Sequence, residues 1–147
     1  YEMLRSLVGS EMCIRDSNDG KMDVNYTITP TISSTYAPII GMAIKAQPKQ
    51  WLGLGPDECF PNKKSYGFIG VWDARKLTGT RSAQWVETTD GRRFVLNGDG
   101  YIDRDDVDSS EIRILSHVLG RSEKGRLNYP EYRIVSGKSY NGSFSVR

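Results

Sequence analysis

Apolar and polar residues alternate with a two-residue period along much of the chain. In residues 24–29 (VNYTIT), Val24, Tyr26 and Ile28 alternate with polar positions, which predicts a β-strand that Pro30 ends. Residues 38–46 (PIIGMAIKA) are an apolar run that fits a buried strand or a short helix, with Gly41 weakening the helix. Residues 66–73 (YGFIGVWD), 84–88 (QWVET) and 92–96 (RRFVL) predict three further strands. Asp90-Gly91 joins the last two as a two-residue hairpin turn. Between these runs, residues 47–64 carry Pro48, Gly53, Gly55, Pro56 and Pro61 and predict a long irregular stretch anchored by Trp51, Leu52, Leu54 and Phe60. Residues 76–82 predict a cation-rich Gly-Thr turn.

From Asp103 the period changes. Val107, Ile112, Leu115, Val118 and Leu119 fit one apolar face of a helix, capped by Asp103 or Asp105 and stopped by Gly120. Asn128, Pro130 and Glu131 then resemble a capping box opening a short helix through Tyr132, Ile134 and Val135. Residues 140–147 predict a last strand, with Asn141-Gly142 as a hairpin turn. The fold class expected from these elements is α+β: a β-rich region followed by a compact helix–loop pair.

Composition narrows the function classes. A net charge of +2, with no dense block of Lys and Arg, argues against binding nucleic acid or a membrane surface by bulk charge. No apolar run is long enough to cross a bilayer as a helix. His117 is the only histidine, and a structural role at a helix end is expected for it. Cys59 is expected to be a small buried side chain, because no base can be named beside it. Adjacent Asp57 and Glu58 fit a solvated turn better than acid–base chemistry. Trp72, Trp85, Phe68 and Phe94 could stack as a platform for sugars or bases, but large aromatics are more often core.

The one stretch that concentrates chemistry is residues 95–106, VLNGDGYIDRDD. It resembles an EF-hand loop of the dockerin type. That family places oxygen ligands at positions 1, 3, 5, 7, 9 and 12, with Gly at 6 and an apolar residue at 8. The resemblance implies a single calcium site held by Asn97, Asp99, the Tyr101 carbonyl, Asp103 and Asp106, with Gly100 at the turn and Ile102 at position 8. Val95 stands at position 1 where the family has Asp, leaving water, Asp90 or Asp105 as substitutes. Residues 120–131 resemble a second, disabled loop, with Gly125, Leu127, Asn128 and Glu131 in family positions and Lys124 where the ion would sit. Ile102 and Leu127 would then bridge the two loops. Residues 18–23 echo the Asp-Gly-x-apolar-Asp pattern, but a surface turn before a strand is the favoured reading, because Tyr26 falls where a closing carboxylate would be wanted.

Residues 1–17 (YEMLRSLVGSEMCIRDS) resemble the translation of a sequencing-library adapter, with residues 7–16 matching its constant part. They are therefore set aside from fold reasoning as a non-native segment, ahead of a competing amphipathic helix. Targeting signals are then unreadable. The domain division expected is residues 1–17 as adapter, 18–91 as the β-rich region and 92–147 as the EF-hand-like region with the final strand. The leading function is calcium binding in a structural or protein-contact role, with a possible protein partner and no nucleic acid or membrane. The alternative is a metal-independent β-rich structural protein of a virion or extracellular assembly. An enzyme using Asp57 or Glu58 beside Trp51 is the third reading, without a visible nucleophile–base pair.

Overall fold

The computed structural model describes residues 8–16, 19–31, 39–118 and 135–147, with backbone only at 8–12, 16 and 117. Among the described residues, ten strands make up one antiparallel sheet: β1 (Val8–Asp16), β2 (Met22–Pro30), β3 (Ile39–Lys45), β4 (Pro48–Gly55), β5 (Phe68–Asp73), β6 (Gly79–Thr88), β7 (Arg93–Leu96), β8 (Tyr101–Arg104), β9 (Glu111–Val118) and β10 (Tyr140–Val146). The main path runs β1-β2-β10-β7-β6-β8-β9-β3, and β4 branches from β6 with β5 at its far side. The sheet curls into a half-barrel. Its concave side is the core.

Cross-strand pairing explains why the two-residue period is so visible here. Directly opposed residues share a face, so each buried position selects its neighbours. One inward row runs Met22, Val146, Phe94, Val86, Trp51 and Trp72 across β2, β10, β7, β6, β4 and β5. Val24, Phe144 and Leu96 form the next row, and the Phe94 and Phe144 rings meet at 6.1 Å. On the far half of the sheet, Met42, Ile114 and Ile102 continue the interior. A smaller cluster of Phe60, Tyr101, Leu115 and Val118, with Ile39 against it, lies apart from this core.

Several expectations are corrected. The α+β class does not hold: the described residues contain strands and no helix. Residues expected to form the helix after the acidic loop are instead β9, paired with β3 on one side and β8 on the other. The helical spacing arose because β9 is covered on both faces. Ile112 and Ile114 join the main core, while Leu115 and Val118 join the smaller cluster. A strand buried on both faces loses its alternation, and a register shift opposite Ile40 and Gly41 disturbs it further. Residues 48–55, expected to be irregular, are strand β4, paired with β5 without a break and with β6 through two register shifts. Asn141-Gly142 is not a turn but lies within β10, where Gly142 leaves room for the buried Tyr26 ring.

Other expectations hold. Residues 39–45 take the strand alternative, and the Asp90-Gly91 hairpin joins β6 to β7 with Gly91 at φ +88°. Cys59 is buried. Val8–Asp16, set aside as adapter-like, is placed as β1 and among the described residues pairs only with β2. β7 and β10, from the 92–147 region, complete the sheet begun by β2 and β6. The second loop, its Ile102–Leu127 bridge, the capping box at 128–131 and the helix start at Tyr132 lie outside the described residues.

Candidate functional site

Residues 95–106 form no helix-entry loop. β7 and β8 pair with successive parts of β6, and residues 97–100 are an extruded blister between them. The blister is anchored where the Ala83 N–H donates to the Gly100 carbonyl at 3.0 Å. Its glycines serve different purposes. Gly98 adopts φ +69°, which a side chain disfavours, and a Cβ at Gly100 would run into Leu96. At the blister the return strand changes partner: β7 pairs with β10, while β8 pairs with β9.

The five residues expected to hold calcium are distributed through this arrangement. Asn97 is exposed and its Nδ2 donates to Ser143 Oγ at 3.0 Å on β10. Asp99 is exposed at the blister tip. Tyr101 is a buried β8 residue opposite Ser82 and Leu115, and its hydroxyl holds the Lys64 ammonium above its usual pKa by hydrogen bonding. Asp103 is 4 % exposed, accepting from Thr80 Oγ1 at 2.8 Å and Arg113 Nη1 at 2.9 Å. Asp106 lies in the β8–β9 connection, where its carboxylate accepts from the Asp108 N–H at 3.1 Å. Of the suggested substitutes, Asp90 is tied to Arg92 and Thr88 in the β6–β7 hairpin, and Asp105 to Arg113.

The EF-hand and dockerin resemblance is therefore corrected. The helix expected after the loop is strand β9, and among the described residues no group of three or more His, Cys, Asp or Glu side chains gathers as metal ligands. What the acidic stretch builds instead is an ion-pair hub. Arg113 on β9 bridges Asp103 and Asp105, with Glu111 at 4.0 Å. Arg113 Nη1 donates to Asp105 Oδ1 at 2.7 Å, and Nη2 to Oδ2. These bonds hold the Asp105 carboxyl below its ordinary value and raise the Arg113 guanidinium.

Arg104, beside the hub, is 1 % exposed. Its Nη1 donates to the Arg75 carbonyl at 3.1 Å. Its Nη2 donates to Gln47 Oε1 at 2.9 Å and to the carbonyls of Val107 and Ser109 at 2.8 and 2.6 Å. One guanidinium thus ties three connections together. Neither Arg104 nor Arg113 stands out in the sequence, where Arg104 is a cation among aspartates and Arg113 lies between two isoleucines. The available signal was the alternation Ile102-x-Arg104, which puts Arg104 on the inward face.

The remaining candidates do not converge. Asp57, Glu58, Lys63, Tyr66 and Gly67 line a shallow surface depression, but Trp51, expected beside them, is in the core at 1 % exposure. The four aromatics do not form a single platform. Phe94 is buried, and Trp72 faces inward against Trp51. Trp85 faces outward, with the Arg93 guanidinium 4.2 Å from its ring centroid.

The paired carboxylates set the acid response. Arg75 holds Asp73 at about 2, below the ordinary 3.8, and Asp90 and Asp105 are lowered in the same sense by Arg92 and Arg113. A carboxyl with a lower pKa when folded binds more protons when unfolded, so stability rises with pH through that window. The contribution is complete above the ordinary carboxylate value and is lost as pH falls through about 4 towards 2. Urea midpoints are expected to drop over that range, and less steeply in Arg113→Met. Identical slopes in both proteins would show that Arg113 does not depress Asp105. The drop is small, because these carboxylates are largely exposed and screened.

No protein-family model matches the chain, and no curated protein matches it. Among the described residues, no helix is long and apolar enough to cross a membrane.

Proposed function

We propose that this chain is a metal-independent β-sheet structural protein, a component of a virion or extracellular assembly, that works through protein contact. The observation carrying this reading is the surface around β5. Tyr66, Phe68, Ile69 and Val71 are 75 %, 71 %, 73 % and 56 % exposed, on one strand and the turn that leads into it. Single exposed apolar residues are ordinary, whereas a contiguous group marks an interaction surface. The acidic stretch supports the same reading, because Asp103, Asp105 and Asp106 already have protein partners. Carboxylates satisfied by Arg, Thr and backbone N–H groups gain less from an added cation.

Thermal melting tests this. A site with Kd near 10 μM would add about 2.7 kcal/mol at 1 mM calcium, a rise of about 5–10 °C for a chain of this size. The expected result is the same Tm in millimolar calcium and in chelator. A calcium-dependent rise of that order would overturn the reading.

A further inference from the structure

β5 pairs with β4 along its whole length, from Gly55 opposite Phe68 to Gln50 opposite Asp73, with no bulge. Among the described residues no strand lies on its other side. A free edge of this kind presents unpaired N–H and C=O groups, and proteins usually blunt such edges with charge, proline or a bulge. β3, another edge, meets β9 with a register shift beside Gly41 and ends in Lys45. In β5 the run from Phe68 to Trp72 has none of these, and the first charge is Asp73.

The run is also symmetric in character. Phe68-Ile69-Gly70-Val71-Trp72 reads aromatic, aliphatic, glycine, aliphatic, aromatic from either end. We infer that β5 joins β5 of a second copy of this chain, antiparallel about a two-fold axis at Gly70, making one continuous sheet. The inference rests on the protein-contact reading and names its partner. In this register Phe68 faces Trp72 of the second copy, Ile69 faces Val71, and Gly67 faces Asp73. Aromatic pairs fall on one face and aliphatic pairs on the other, and no like charges are opposed. Contacts of this kind are isologous, so each side supplies the same surface.

The surroundings fit this partner. Ile69 and Val71 lie opposite Leu54 and Leu52 on the convex face, and Trp85 and Val95 continue that row. Beyond Val95 the row turns polar, through Ser145 to Asp23. An outward apolar band that meets lipid runs round all the strands, whereas this one is confined to the side nearest β5. Trp72 is prepared for the role, because its Nε1 donates to the Gly53 carbonyl at 3.1 Å and fixes the indole on its own chain.

The experiment is sedimentation equilibrium of the full chain in chelator, comparing wild type with Ile69→Lys/Val71→Lys and with Ile69→Glu/Val71→Glu. Positions 69 and 71 are exposed, and unchanged circular dichroism establishes that each variant folds. Wild type is expected to dimerise. Each variant alone, with like charges directly opposed, is expected to dimerise at least about tenfold more weakly, a difference of 1.4 kcal/mol. An equimolar mixture is expected to recover dimer as the mixed species, because Lys then faces Glu. A wild type that stays monomeric at hundreds of micromolar overturns the inference. So does a monomer whose Tm falls in both variants, which would mean that another segment of this chain covers β5. Variants that associate as wild type does, or a mixture that recovers nothing, also overturn it. Calcium-dependent melting would instead defeat the metal-independent reading, leaving the association result legible by itself.

Discussion

Trp51→Ala is expected to cost about 3–5 kcal/mol of unfolding free energy, the usual range for removing a large aromatic from a packed core. Trp51 is 1 % exposed in the inward row, with the Trp72 ring centroid 6.5 Å away. Two glycines hold the space for its indole. A Cβ at Gly53 would strike the Ser82 carbonyl of β6 and also lie 2.9 Å from the ring, and one at Gly55 would lie 2.7 Å from the ring. Strand alternation puts residues 51, 53 and 55 on one face, so the ring lies along a shelf of bare backbone. Alanine would leave a void that backbone cannot collapse to fill. Urea unfolding followed by far-ultraviolet circular dichroism measures the loss. A value under about 1.5 kcal/mol would mean that the indole does not fill this shelf. Domains of this size have only about 5–15 kcal/mol in total, so the expected loss threatens folding at 37 °C.

Arg104→Met is expected to lose about 3 kcal/mol. The substitution keeps most of the side-chain length, so little room opens for water. The carbonyls of Arg75, Val107 and Ser109 each lose a donor, at about 1 kcal/mol apiece. A hydrophobic replacement of a buried ion pair is often neutral, but Arg104 has neutral oxygens as its hydrogen-bond partners, and they stay behind. The wild-type residue carries a penalty of its own, because its buried Nε has no hydrogen-bond partner among the described residues. A neutral or stabilised Arg104→Met, measured in the same unfolding experiment, would mean that this penalty cancels the clasp.

Both residues show where the sequence was legible and where it misled. Trp51 was recognisable as an apolar anchor, but Gly53 and Gly55 argued for a loop around it. Glycine in a strand often marks close approach of another group, and here that group is the β6 backbone at Gly53 and the Trp51 indole at Gly55. The approach exists only once β4 lies between β5 and β6. Arg104 was hidden for a related reason. Its neighbours Asp103, Asp105 and Asp106 made an attractive ligand pattern, yet the pairing of β8 with β6 and β9 sends Asp103 towards Thr80 and Arg113. The spacing of oxygen atoms along a chain does not determine which of them a cation nearby in space already occupies.

The sequence by itself determined the strands whose two faces differ. β2, β7 and the Asp90-Gly91 hairpin have one face in the core and one in water, so burial leaves a two-residue imprint that needs no partner to be read. It also determined that Cys59 would be buried and that the apolar run 39–45 would be a buried element. Only the tertiary structure decided β9, the blister at 97–100 and the ion-pair hub. β9 is covered on both sides by clusters from distant parts of the chain, which removes the alternation and leaves a helical imprint instead. The blister is set by which strands its two flanks join, β10 before it and β9 after it. Such choices depend on contacts far apart in sequence, and a local pattern records only the water or protein that each face meets.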